Sequence, residues 1–265
     1  MEGVTQLKHI DGGKDFDWGK ASCYYAKHRD IYPPEFLNRL GAAANIAAGR
    51  MVLDVGTGTG VIPQMLYSAG AQFTGVDASE NQITEARRLA KENGMDINFV
   101  CSPAEDCSFP PNTFDGVTAC QCFTYFNHEK LSVRLASVLK ADGAFAVAYM
   151  GWLPFEDELA ARSEKLILKY NPSWTGFGDV TSKIRVPDCY FKYFKIVSEE
   201  VFPLEVHFTR TGWHGRILSC RGVSAALDGD RLQSFSREHF KMLEECAPEE
   251  FTVRHFGAIT ALKKL

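Results

Sequence analysis

The sequence holds eight cysteines but no C-x-x-C pair and no Cys/His cluster at zinc-ligand spacing. That predicts no metal, and it reads Cys23, Cys101, Cys107, Cys120, Cys122, Cys189, Cys220 and Cys246 as small buried hydrophobes of a reducing compartment. Cys120 and Cys122 alternate in a strand-like run, which would put them on one face. Dense runs of Lys and Arg are missing, and the net charge is −4. A phosphate backbone needs a basic face, so the composition predicts no nucleic acid partner. Residues 1–10 contain no apolar h-region. The longest nearly apolar run, 143–155, is too short to span a bilayer. These absences predict a cytoplasmic protein with no membrane span. Internal repeats and low-complexity tracts are also missing.

What is present suits one large α/β domain, or one domain with a substantial insertion: 265 residues, 45% hydrophobic and 23% charged. Its centre is Met51-Val52-Leu53-Asp54-Val55-Gly56-Thr57-Gly58-Thr59-Gly60. An apolar run ends in alternate glycines and a helical pattern comes next. The spacing predicts a buried strand turning sharply into a helix, with the turn stripped of side chains so that a ligand can lie against main-chain N–H groups.

Before this stretch, 17–31 reads as a helix stopped by Pro33-Pro34. Trp18, Ser22, Tyr25, Arg29 and Tyr32 fall along one face of it, either as packing or as a lid over the glycines. A second helix is expected over 34–48. After the glycines the pattern predicts a helix over 61–69, a strand over 73–76 ending in Asp77, and a helix to Lys91 opened by the capping box Ser79-Glu80-Asn81-Gln82. Further strands are expected at 97–101 and 114–123, then a helix at 128–139, a turn at Asp142-Gly143 and a strand at 144–150. This β-α rhythm predicts an α/β fold with a doubly wound parallel sheet. The rhythm then breaks. A helix over 156–169, an aromatic-rich stretch, an extended run over 196–208, a late helix and an alternating last strand complete the chain.

The glycine spacing is G-x-G-x-G. A nicotinamide-dinucleotide turn wants G-x-G-x-x-G, and here Gly60 comes one residue early. Asp77, at the end of the second strand, can accept hydrogen bonds from both hydroxyls of an unphosphorylated ribose.

Together these residues resemble a class I S-adenosylmethionine-dependent methyltransferase of the small-molecule, ubiquinone/menaquinone-methylase-like branch. The likeness rests on 52–60, on Thr74-Gly75-Val76-Asp77-Ala78-Ser79, on the loop 103–110, on the turn Leu139-Lys140-Ala141-Asp142-Gly143, and on the spacing of Tyr25, Arg29, Tyr32 and Pro33. It spans roughly residues 18–150. It implies a Rossmann-like, mostly parallel seven-stranded sheet, S-adenosyl-L-methionine as cofactor and a small-molecule acceptor. It also implies a division into lid helices (1–48), cofactor-binding core (49–150), inserted cap with a late strand (151–222), and a C-terminal helix and strand completing the sheet (223–265). The resemblance further implies that Gly56, Thr57, Gly58 and Gly60 face the methionine half, with Asp54 orienting the turn. Asp77, with Ala78 and Gln82 beside it, would hold the ribose. Pro103, Ala104 and Glu105 would flank the adenine, and Gln121 would border the methionine. Arg29 would pair with the cofactor carboxylate under Tyr25.

Ala119-Cys120-Gln121-Cys122 stands where amino-group methylases carry N-P-P-Y, which argues against a planar amide or base as acceptor. Tyr24, Phe126, Trp152, Trp174 and Tyr190 are candidates for the acceptor pocket. Where the acceptor must lose a proton, His128, His207 and His214 are candidate bases and Tyr125 an orienter. The sequence is compatible with a homodimer. Two other readings stay open: a non-catalytic S-adenosylmethionine sensor or scaffold, and an NAD-dependent dehydrogenase.

Overall fold

In the computed structural model the chain opens with a short ribbon, β1 (Val4–Thr5) paired antiparallel with β2 (Phe16–Asp17). The structure describes residues 4–5, 10–17, 20, 31–176 and 183–265. Asp17 ends a strand rather than opening a helix. Most of the expected lid helix, with Tyr24, Tyr25 and Arg29, lies outside the described residues. Helix α1 (Pro34–Ala43) buries Phe36, Leu37 and Leu40. It stops short of residue 48 because Asn45 takes the left-handed region at φ 56°.

Next come β3 (Met51–Val55) and the short α2 (Val61–Met65), continued by a tighter turn to Ala69 and closed by Gly70 at φ 76°. Strand β4 (Gln72–Asp77) leads into α3 (Glu80–Glu92). The expected capping box does not form, since the Ser79 side chain makes no cap bond. The Ser79 N–H that Gln82 would have taken donates instead to Asp77 Oδ1 at 2.9 Å, and Gln82 turns into the interior.

Strand β5 (Asn98–Cys101) is short, while β6 (Phe114–Cys120) is buried along its whole length, as a central parallel strand should be. Asn127 caps α4 (His128–Val138) by accepting from Lys130 N. Strand β7 (Leu139–Trp152) includes the expected Asp142-Gly143 turn as an irregularity in its pairing with β6. There the single residue Asp115 accepts from Met51 N, Arg50 Nη1 and Lys140 Nζ at 2.8–2.9 Å.

Later elements are α5 (Glu158–Tyr170), β8 (Phe194–Thr209), α6 (Arg210–Leu218), α7 (Gly229–Cys246) and β9 (Glu250–Lys264). The sequence pattern did not predict α6, which Thr209 caps by accepting from Gly212 N.

The seven-stranded sheet runs β5-β4-β3-β6-β7-β9-β8. Parallel pairing joins β5, β4, β3, β6 and β7. The order turns back at β3 and β6, so the glycine loop leaves β3 at the point where a doubly wound sheet opens a ligand crevice.

The chain forms two compact units, each built from separated stretches. One holds 32–150, 182–202 and 257–265. Its core packs Leu53, Val55, Val117, Phe145 and Leu131 with Tyr190, Phe194 and Leu262. The other holds 1–31, 151–181 and 203–256, with Trp152, Trp213, Phe235 and His239 buried. The boundaries expected at 48 and 222 are therefore not boundaries in the structure. Residues 32–48 belong to the same unit as the core, where Ile46 packs with Val52 and Phe73 and Phe36 lies against Phe202. Residues 182–202 return to that core through Tyr190 and Phe194.

Candidate functional site

The glycine turn is held in shape mainly by the main chain. Thr57 N donates to Val76 O at 3.0 Å, and Gly60 N to Thr57 O at 2.9 Å. Gly56, Gly58 and Gly60 have φ of 65°, 57° and 76°, a region open to glycine and strained for other residues. Space adds a second reason at Gly56. A Cβ there would lie 2.7 Å from Cys122 Sγ and 3.2 Å from Phe126 Cζ.

Asp77 ties this turn to the end of β4. Its Oδ2 accepts from Gly58 N and its Oδ1 from Ser79 N, both at 2.9 Å. Burial pushes its pKa up, and the two amides oppose the rise. Asp54 lies within β3, 2 % exposed, with Oδ1 accepting from the Thr118 hydroxyl. Burial pushes its pKa up to about 6 against that hydrogen bond, and the nearby Asp77 charge adds to the rise. One buried acid, Asp54, and one half-buried acid, Asp77, thus belong to the turn region, which suits a ligand carrying hydroxyls and a positive charge.

Around them, Ala78 and Pro103 are exposed, whereas Ala104 turns its methyl into the core and offers only its backbone. Glu105 Oε1 accepts from Asn127 N, which fixes the start of α4. Gln121 bends the chain at φ 66°, so the expected strand ends at Cys120 and not at Phe123. Cys120 and Cys122 therefore do not share a face. Cys120 Sγ reaches Tyr32 Oη at 3.6 Å, while Cys122 Sγ donates to Val55 O at 3.1 Å. Burial raises the Cys122 pKa well above its usual 9.0, so it is a thiol and not a thiolate nucleophile.

Three of the acceptor-pocket candidates are buried and packed against other side chains. Trp152 is 2 % exposed, donates Nε1–H to Glu164 at 2.9 Å and packs edge-on to Trp213. Trp174 is buried against Gly222. Tyr190 is fully buried among Phe123, Phe145 and Phe194. Phe126 is half-buried beside Gly56, and Tyr125 lies on the turn after Gln121.

The histidines divide. His128 opens α4, 3.3 Å from Tyr190 Oη, in the unit that holds the glycine turn. His207 faces Glu250 at 3.6 Å on an exposed stretch of strand. His214, in that same unit, pairs with His239 at 2.9 Å. The sequence pattern gave no sign of Cys122, Thr118 and Phe99 as neighbours of the turn. Gly75 was a usable signal for part of this, since a glycine inside a strand marks close approach. A Cβ there would lie 2.7 Å from Thr57 Oγ1 and 2.8 Å from Phe99.

Among the described residues no group of three or more His, Cys, Asp or Glu could hold a metal ion. No helix among them is long and apolar enough to cross a membrane.

Residues 52–143 match the family described as "Methyltransferase domain". A ubiquinone biosynthesis O-methyltransferase of Chromobacterium violaceum is 32% identical over 139 residues, which cover 52% of this chain and 56% of that protein. The chain spans about half the length of the curated relatives it matches. The crystal structure of the YcgJ protein from Bacillus subtilis is similar at TM-score 0.50 and 20% identity, covering 87% of this chain and 99% of that one. The [4+2]-cyclase SpnF is similar at TM-score 0.52 and 17% identity, covering 87% of this chain and 80% of that one. These structural likenesses show a shared Rossmann-like fold; a fold by itself does not fix a reaction.

Proposed function

We propose, for a chain that carries the methyltransferase domain of the class I S-adenosylmethionine-dependent enzymes over residues 52–143, that the glycine turn binds S-adenosylmethionine and that the protein methylates a small-molecule acceptor. The observation that carries this reading is the Asp77 carboxylate closing the glycine turn through Gly58 N.

The residues fit a nucleoside bearing an amino acid. A carboxylate offers about four acceptor sites, and Asp77 uses one on each oxygen, which leaves two for neighbouring ribose hydroxyls. Cys122 and Phe126 fill the place that a side chain at Gly56 would take, so a ligand would meet the turn on its other faces, along the main chain. Asp54, ionised above a pKa of about 6, would favour an ammonium through water. Ala104 presents backbone to the base beside the Glu105 loop. Arg29, Tyr25 and Tyr24 keep their proposed roles outside the described residues.

When bound, S-adenosylmethionine supplies a methyl group already activated by its sulfonium, so in-line displacement needs mainly alignment and a dry site. The chain's part is to orient and to exclude water, with Phe126 covering Gly56. His128 is the base we favour, because it opens α4 two residues after Phe126, which lies against Gly56. The relatives named for ubiquinone O-methylation favour a hydroxyl of a small organic molecule as acceptor. The reading extends to a cytoplasmic enzyme that does not act on nucleic acid; sedimentation equilibrium reads whether it is a homodimer.

Titration calorimetry with S-adenosylmethionine, S-adenosylhomocysteine and NAD tests the seat. The first two should bind and NAD should not; tight binding of NAD alone would sink the reading. Asp77→Ala should weaken S-adenosylhomocysteine binding by about 1–3 kcal/mol. Methyl-labelled cofactor with a panel of hydroxylated small molecules and a metabolite extract should then give labelled product. Binding without any product would leave a sensor.

A further inference from the structure

Gln121 leaves β6 at φ 66° although it carries a full side chain. A residue with a Cβ keeps that conformation only where its surroundings over-determine it. Its N–H donates to Ala148 O at 2.9 Å, and its side-chain Nε2 donates to Met150 O. Both acceptors lie on β7, so Gln121 is fastened to the neighbouring strand at two points.

That fastening redirects the chain after Gln121. In a straight strand Cys122 would share the face of Cys120. The left-handed step sends it back to β3, where its Sγ donates to Val55 O at 3.1 Å. Farther on, Thr124 N donates to Tyr149 Oη at 3.0 Å and steadies the turn. Cys122 and Phe126 then close on Gly56, with Cys122 Sγ 2.7 Å and Phe126 Cζ 3.2 Å from where a Cβ would stand.

We infer that Gln121 is a positioning residue of the nucleoside site: its tether to the Met150 carbonyl holds a strained turn whose Cys122 and Phe126 clamp the glycine loop at Gly56. This adds to the direct cofactor contact that the family resemblance implied, because one amide N–H is given to Met150 while the side-chain oxygen is not engaged by that bond. An affinity readout of this role rests on the loop being an S-adenosylmethionine seat. An exchange readout does not.

The full-length protein is compared with Gln121→Gly and Gln121→Glu. Glycine removes both the strain and the tether; glutamate keeps the length but sets a carboxylate against the Met150 carbonyl. Amide hydrogen exchange at Thr57 and Gly58 is measured without ligand, with thermal melting and calorimetric titration by S-adenosylhomocysteine alongside. Gln121→Gly should melt within a few degrees of the parent, because lost tether and relieved strain offset. In both variants exchange at Gly58 should quicken and affinity should fall about tenfold. Parent-like exchange and affinity in both variants overturn the inference.

The clamp has a separate check. Gly56→Ala should weaken binding, and adding Cys122→Gly should restore part of the loss, since the clash with Cys122 goes while the tight Phe126 contact and the left-handed cost stay. Strictly additive losses overturn the clamp even if Gln121→Gly fails to fold. Faster exchange in a protein whose parent binds no S-adenosylhomocysteine would sink the cofactor reading and leave the positioning role standing.

Discussion

Asp54 shows how a single buried carboxylate beside the glycine turn can cost stability. At neutral pH it is a buried carboxylate whose pKa has been pushed from 3.8 up to about 6, a displacement worth roughly 3 kcal/mol. Below the unfolded value both states are protonated and the penalty vanishes. As pH rises through 6 the native state must ionise it in a buried place, and the penalty is complete. Asparagine keeps an oxygen to accept from Thr118 while removing the charge. Asp54→Asn should therefore be more stable than the parent at pH 8 by about 1–3 kcal/mol and within about 0.5 kcal/mol of it at pH 4, while binding S-adenosylhomocysteine less well. Urea denaturation at the two pH values checks this. An equal difference at both would mean that burial of the charge is not what the substitution relieves.

At the scale of elements, legibility tracked the strength of the periodic signal. Strands β3 and β6 were plain because central parallel strands are continuously apolar. The short α6 was invisible, since Gly212 and Gly215 interrupt a nine-residue helix that comes directly after a strand. The capping box expected at Ser79 does not form, because Asp77 has the stronger claim on the same N–H. Among α5, α6 and α7 a polar network was equally hidden, because its members come from separate stretches of chain. Ser163 Oγ donates to Leu159 O and accepts from Trp213 Nε1, so His239 Nε2 must be its second donor at 3.0 Å. His239 Nδ1 is then bare and accepts from His214 Nδ1, and a neutral His214 accepts from the Ser236 hydroxyl. Burial, with His214 beside it, pushes the His239 pKa down to about 3. The native state keeps this ring neutral while the unfolded chain takes up a proton below 6.5. Its share of stability is present above pH 6.5 and is lost as pH falls toward 3, at about 1.4 kcal/mol per pH unit. His239→Gln lacks that loss, so its stability deficit against the parent should narrow steadily between pH 6.5 and 4.5 in urea titrations. A constant gap would show that His239 is not held neutral.

Over the whole molecule, the segment that matches a known domain is not the segment that folds as a unit. The match covers 52–143, and the glycine turn, Asp77 and the parallel strands within it were readable without coordinates. The aromatic residues after Met150 were readable only as a class: composition cannot tell a ring that lines a pocket from one that fills a core. Tyr190 is fully buried beside Phe145 and Phe123, and Phe194 and Leu262 join the same core. Removing a large core side chain costs about 3–5 kcal/mol, and folded domains hold only about 5–15 kcal/mol in reserve. Losing Tyr190, Phe194 and Leu262 together uses most or all of that reserve, before the two missing strands are considered. A fragment of residues 32–150 should therefore lack a cooperative thermal transition and near-ultraviolet dichroism. It should recover both when residues 182–202 and 257–265 are also present, as in the full chain. A fragment that melts cooperatively on its own would show that the matched core is autonomous and that Tyr190 merely covers it.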